Sequence, residues 1–312
     1  MKKYIRPVVF AAACLSFIII MFLLTKSEEI TNRPRNVQIS VILSGSRERW
    51  RSLERGIYQA CGELKIEKPF VAESDELLSQ TEQLNSEIAK GANGFIIFPE
   101  DSRETSEYLL QTGLNIPAVI IDGSENDSLP ANNAEMAAAL AESAAESGGK
   151  ITLLTIGSRR EDLRQRADAF SRRARELGAE LSTLDIGFDG DIRGEYLAVY
   201  FSKGQSETVV ALDNDVLEVA AAALPGNSKI SLYGFGNSDK VIYALDHGRI
   251  KEICFQNEFS LGYSAMIALA EKMGINTKEV PVGSGDSIAY RLISRENMYD
   301  LETERLIFPL MP

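Results

Sequence analysis

Short, continuously apolar runs recur along this chain, separated by segments of helical spacing, and this alternation restricts its fold more than any other feature. The runs Val37–Leu43, Phe70–Glu73, Gly94–Phe98, Ala118–Asp122, Ile151–Ile156, Val209–Asp213, Ile230–Phe235 and Ile253–Gln256 lack polar alternation. Such runs suit strands buried on both faces. Between them, Glu54–Lys65, Leu77–Lys90, Ala134–Ser147, Leu163–Leu177, Val216–Leu224 and Leu261–Met273 read as helices. Several of these stop at glycine, at Gly91, Gly148, Gly178 and Gly274, where a left-handed residue closes the last turn. Strands and helices in alternation predict an α/β fold, with parallel sheets covered by helices. In such folds ligands bind beyond the carboxyl ends of the strands. The distinctive polar and glycine residues fall there: Gly45-Ser46-Arg47, Pro99-Glu100-Asp101, Asp122-Gly123, Gly157-Ser158, Asn214-Asp215 and Gly236-Asn237.

A chain of 312 residues is long enough for two lobes of ordinary size. Its 45% hydrophobic and 25% charged content is that of a folded globular protein. The net charge of −12 repels phosphate backbones, so nucleic acid is not an expected partner. One histidine, His247, and three scattered cysteines provide no zinc cluster and no disulfide framework. There is no Gly-x-Ser-x-Gly elbow and no Walker-type phosphate loop, and Gly234-Phe235-Gly236 lacks the third glycine of a dinucleotide fingerprint. The expectation is a binding protein, with neither enzymatic activity nor a cofactor.

Residues 1–25 set the expected compartment. Lys2, Lys3 and Arg6 precede an apolar run from Val8 to Leu24, 17 residues long. As a helix that run would span about 26 Å, close to a bilayer core of roughly 30 Å. A basic leading end favours a cytoplasmic N-terminus and an exported remainder. The expectation is a single-pass membrane anchor followed by a short polar tether, residues 26–36. Two rivals stay open: lipidation at Cys14, after Ala11-Ala12-Ala13, and cleavage near Leu24.

The soluble part resembles the ribose-type periplasmic binding proteins, the sugar-binding components of ABC transporters, whose fold is shared by the ligand domains of lac-type repressors. The markers are Gly56 on the first helix, Gly91-Ala92-Asn93-Gly94-Phe95-Ile96-Ile97 and Ile116-Pro117-Ala118-Val119-Ile120-Ile121-Asp122. They continue with Asn132-Asn133, Arg166 before Ala169-Phe170, Asn214-Asp215 and Gly234-Phe235-Gly236. The expected membrane segment stands where a repressor would carry its DNA-binding helix pair, which argues against a repressor. The resemblance implies two doubly wound parallel-sheet lobes joined by a three-segment hinge. Lobe one would comprise residues 37–124 and 256–282, and lobe two residues 125–255 and 283–312.

It also implies a ligand set. Asp122 would accept sugar hydroxyls, Arg166 would present a forked donor, and Asn214 and Gln256 would both donate and accept. Trp50 and Phe235 would offer ring faces to the C–H face of a sugar. At Asn214 the other reading is a helix cap. The chain departs from the pattern at Gly123 and Gly236, where ribose binders carry Arg and Asp, and in its first loop, which has Arg47 and Arg49. Two sugar contacts are thereby lost and positive charge is gained. The two arginines bring in an anionic ligand, such as an acidic sugar or sugar phosphate, beside the neutral one; their other reading is a solvated rim. The implied partner is an ABC permease. A sensor histidine kinase is the alternative, and a scaffold without ligand is the third reading.

Overall fold

The structure is a computed structural model, and it describes residues 37–43, 50–72, 78–111, 116–121, 128–129, 132–157, 160–187, 190–204, 207–278 and 290–307. The expected anchor and tether, and Asp122, Arg47 and Arg49, lie outside these residues. In chain order the first elements are β1 (Ile39–Ile42), α1 (Arg51–Leu64), β2 (Phe70–Ala72), α2 (Gln80–Ala89), β3 (Gly94–Ile97), α3 (Ser102–Gln111), β4 (Ala118–Ile121) and β5 (Ser128–Leu129). Next come α4 (Asn133–Glu146), β6 (Lys150–Thr155), α5 (Glu161–Glu176), β7 (Glu180–Asp185), α6 (Gly190–Ser202), β8 (Thr208–Ala211) and α7 (Asn214–Ala223). The last are β9 (Ser231–Phe235), α8 (Asp239–Asp246), β10 (Glu252–Gln256), α9 (Glu258–Lys272), β11 (Tyr290–Ser294) and α10 (Leu301–Ile307).

The strands form two sheets. The first has the order β2-β1-β3-β4-β5 and is parallel throughout. The second has the order β11-β10-β9-β8-β6-β7, parallel except for the antiparallel pair β10–β11. Both sheets are covered on both faces, as the apolar runs require. On the first, Val41, Ile96 and Val119 pack against Leu53 and Ile57 of α1 and Leu261 and Leu269 of α9. Its other face places Ile42, Phe95 and Ile97 against Leu84 of α2. On the second sheet, Val209, Leu232 and Ile253 meet α6, α7 and α8. Its opposite face seats Ile151, Val210 and Tyr233 against Met136 and Leu140 of α4 and Phe170 of α5.

The first lobe is assembled from remote parts of the sequence, because α9 leaves the second sheet at Asn257 and packs back onto α1. The two helices approach at glycine from both sides. A Cβ on Gly56 would lie 2.0 Å from the Phe259 carbonyl oxygen, and one on Gly262 would lie 2.1 Å from that of Leu53. The expected boundary at residue 124 needs correction, since Ser128–Leu129 pairs with β4 in the first sheet. The first lobe therefore runs on to Leu129. The glycine stops hold: Gly91, Gly148, Gly178 and Gly274 all have positive φ.

Candidate ligand cleft

Between the carboxyl ends of the two sheets lies a cleft lined by Trp50 and Phe98 from one side and by Arg166, Asn214, Phe235 and Gln256 from the other. Local structure places each of them. Trp50 is the residue that begins α1. It is only 2% exposed, and its ring meets Phe98 at a centroid distance of 4.2 Å, tilted by 51°. Phe98 follows β3, and its backbone is clamped by Gln80. The Gln80 Nε2 donates to the Phe98 carbonyl at 2.9 Å, while its Oε1 accepts from the Glu100 amide and the Thr105 hydroxyl, both at 3.1 Å. Gln80 is fixed in turn by the start of α2, where Ser79 and Glu82 form a reciprocal capping box.

The second lobe contributes an ionic layer. Arg166 is 6% exposed; its Nε donates to Asn133 Oδ1 at 2.7 Å and its Nη1 to the Leu212 carbonyl at 3.0 Å. The guanidinium lies over the Phe235 ring, 4.6 Å from the centroid, and 3.8 Å from Asp162. Six residues earlier, at the cap of α5, Arg160 donates to both Asp162 oxygens, at 3.1 and 2.7 Å, and to Asp213 at 2.9 Å. Burial works against this charge, but Asp162 and then Asp213 outweigh it and hold Arg160 protonated more firmly than a free arginine. Its cation is thereby balanced within the protein. The described part of the cleft, with Arg160 between two aspartates, Arg166 beside Asp162, and Glu258 at the edge, carries no net positive excess.

Asn214 does not cap its helix. Asp213 does, accepting from the Asp215 amide at 3.0 Å. The Asn214 amide instead ties the start of α7 to the turn before α8: its Oδ1 accepts from the Ser238 amide at 3.2 Å, and its Nδ2 donates along its own helix to Glu218 at 3.1 Å. This arrangement accounts for Gly236. Its φ is +154°, and a Cβ there would come within 2.5 Å of Asn214 Oδ1. Gln256 ends β10 at 7% exposure, and its Oε1 is buried without a hydrogen-bond partner among the described residues. Cys254, also on the cleft wall, is a fully buried thiol whose pKa burial pushes up, leaving it neutral.

The structure thus brings Trp50, Arg166, Asn214, Phe235 and Gln256 to one place. Asp122, Arg47 and Arg49 fall outside the described residues. The sequence reading missed Phe98, which it had only as the end of a strand, and Arg160, which stands among a run of arginines; the following Pro99 was the available sign that Phe98 turns out of the sheet. Contacts among the described residues that bridge the lobes include Arg51 to Asp239 at 3.6 Å, Asn237 Nδ2 to Glu258 at 3.3 Å, and Arg160 over the Phe98 ring at 5.7 Å.

Two doubly wound lobes with an aromatic and amide-lined cleft between their strand ends define a type I periplasmic-binding fold. The chain belongs to the periplasmic binding protein domain family, whose profile matches residues 39–276. No curated protein matches its sequence. Among solved structures it is similar to a carbohydrate transporter solute-binding protein from Agrobacterium radiobacter in complex with D-arabinose. That likeness has a TM-score of 0.70 at 19% identity, over 88% of this chain and 99% of the other. It is similar also to GanP, a glucose-galactose binding protein from Geobacillus stearothermophilus, with a TM-score of 0.70 at 17% identity over 85% and 100% of the two chains. The XylFII–LytSN complex gives a TM-score of 0.66 at 15% identity over 83% and 98%. At these identities the likeness is one of fold.

Proposed function

We propose that the chain is an extracytoplasmic solute-binding protein that closes its lobes over a sugar and hands it to an ABC-type importer, held at the membrane by its N-terminal apolar segment. The observation that carries this reading is the orphan acceptor of Gln256, buried in a cleft that also offers ring faces and an arginine. A buried acceptor without a partner costs about 1–3 kcal/mol, and a ligand hydroxyl recovers it. The apolar faces of Trp50 and Phe235 suit the C–H face of a sugar ring. Structures of the same fold, one in complex with D-arabinose and one a glucose-galactose binding protein, support the ligand class. The internal balance of Arg160 and Arg166 favours an uncharged sugar over the anionic one. Closure follows if the ligand binds the closed form more tightly than the open one.

A second reading makes the closed lobes the input of a sensor histidine kinase, with no transport. The likeness to a chain solved in complex with a second protein favours it. A thermal-shift screen of the full-length chain in detergent, with D-arabinose, D-ribose, D-xylose, D-glucose, D-galactose, their acids and their phosphates, tests the ligand class. Specific binding raises the melting temperature with ligand concentration. A flat response to every neutral sugar, or a response to the phosphates alone, rejects a neutral sugar ligand. A permease and ATPase encoded beside the gene support import, and a kinase with a response regulator supports sensing.

A further inference from the structure

We infer that Phe98 and Arg160 form a contact that holds the two lobes together without ligand, and that Gln80 is the positioning residue that sets it. The inference rests on the reading of the cleft as the binding site, and it concerns how that cleft closes. Phe98 belongs to the first lobe, yet its ring faces the Arg160 guanidinium of the second at 5.7 Å, and Trp50 backs it at 4.2 Å. Both partners are built for this position. Arg160 is held by three hydrogen bonds to Asp162 and Asp213, which fix the plane of its guanidinium and keep it charged. Because two carboxylates already balance it, it brings little net charge to a ligand. Arg166, stacked on Phe235 of its own lobe, takes the ligand-facing role instead.

On the other side, one side chain determines where Phe98 stands. Gln80 engages the Phe98 carbonyl, the Glu100 amide and the Thr105 hydroxyl at once, so the loop after β3 has its backbone bound to α2. A cation facing a desolvated ring attracts it without any third molecule. The contact therefore favours the closed form even when the cleft holds no sugar, and a ligand adds to a closure already under way. Affinity then depends on Gln80, a residue that touches neither ligand nor the opposite lobe.

Trp50 is the only tryptophan in the chain, so its emission reports this site alone. The test is acrylamide quenching of Trp50 in the full-length chain in detergent, with no sugar present. The variants are Phe98→Leu, Phe98→Tyr, Gln80→Leu and Arg160→Lys. Arg160→Lys keeps a charge for the two aspartates but loses the planar group. The closed-to-open ratio is expected to fall by about 2- to 30-fold in Phe98→Leu, Gln80→Leu and Arg160→Lys, read as stronger quenching, and to stay near wild type in Phe98→Tyr. Phe98→Leu combined with Arg160→Lys should be no more quenched than Phe98→Leu alone, since both remove one contact. Wild-type quenching in Arg160→Lys, or additive effects in the double variant, overturns the inference. So does a Gln80→Leu protein that melts lower but is quenched like wild type. If Arg160→Lys does not fold, Gln80→Leu decides, because it leaves the Trp50 and Phe98 rings both in place and removes only the hydrogen bonds that position Phe98. The sugar reading fails by a different result, a sugar titration that leaves Trp50 emission and melting temperature unchanged.

Discussion

Replacing Gly262 by alanine sets two known effects against each other, and the structure says which wins. In a helix interior alanine is favoured over glycine by about 1 kcal/mol. At Gly262, however, the new Cβ would stand 2.1 Å from the Leu53 carbonyl oxygen and 2.9 Å from its carbon. Ordinary carbon–oxygen contacts begin at roughly 3.3 Å, so α1 and α9 must separate by about 1 Å. A gap of that size forfeits a quarter to a half of each dispersion contact along the crossing. Overpacking of this kind costs about 1–3 kcal/mol, and the upper end applies because the obstructing atom is helix backbone and cannot turn aside. The net expectation is a loss of about 2 kcal/mol, once the gain of about 1 kcal/mol is subtracted. Gly62, on the same pair of helices, has nothing within 4 Å of its notional Cβ. Gly62→Ala should therefore stabilise by about 1 kcal/mol. Urea unfolding followed by Trp50 emission measures both, since Trp50 begins α1. A Gly262→Ala protein as stable as wild type would refute the packing argument.

Three further outcomes are expected. Stability should fall as pH rises above about 9. Burial lifts Cys61 from its ordinary value of 9.0 to about 12, and lifts Cys254 as well, so over that window the unfolded chain releases thiol protons that the folded chain keeps. Urea midpoints from pH 8 to 11 check this, and the decline should be shallower in Cys61→Ala. Ser79→Ala breaks the capping box at α2 and should cost about 1 kcal/mol by thermal or urea unfolding, with an unchanged melting profile counting against the cap. Gly236→Asp, which installs the residue of the ribose-type pattern, should destabilise by about 1–3 kcal/mol and gain no sugar affinity, because the side chain displaces Asn214. Tighter sugar binding on calorimetry would contradict that.

What could be read from the sequence divides along physical lines. Strands buried on both faces, such as Gly94–Ile97 and Thr208–Ala211, announce themselves as apolar runs. By contrast β7, Glu-Leu-Ser-Thr-Leu-Asp, sits at the edge of its sheet with half-exposed residues and went unseen. The antiparallel β11 and helix α6, whose apolar residues fall on both faces, were missed for similar reasons. In the site, Arg166 and Gln256 stood at matching motif positions, and the cleft holds them. The roles of Asp213, Arg160 and Gln80 were not legible, because each depends on partners tens of residues away. Asp213 meets Arg160 across 53 positions, and Gln80 meets Phe98 across 18.

The return of α9 to α1 has a consequence for how the protein is made. The second sheet, apart from β11, is built from one uninterrupted stretch, Lys150–Gln256, and its strands can pair as they emerge. The first sheet begins with residue 39, yet one of its two faces, which α1 covers only in part, is completed when residues 258–272 arrive. Of the two sheets, the one synthesised first is thus the last to be sealed. For most of its synthesis it carries the uncovered apolar surface of Val41, Ile96, Leu53 and Ile57, the natural hold for a chaperone.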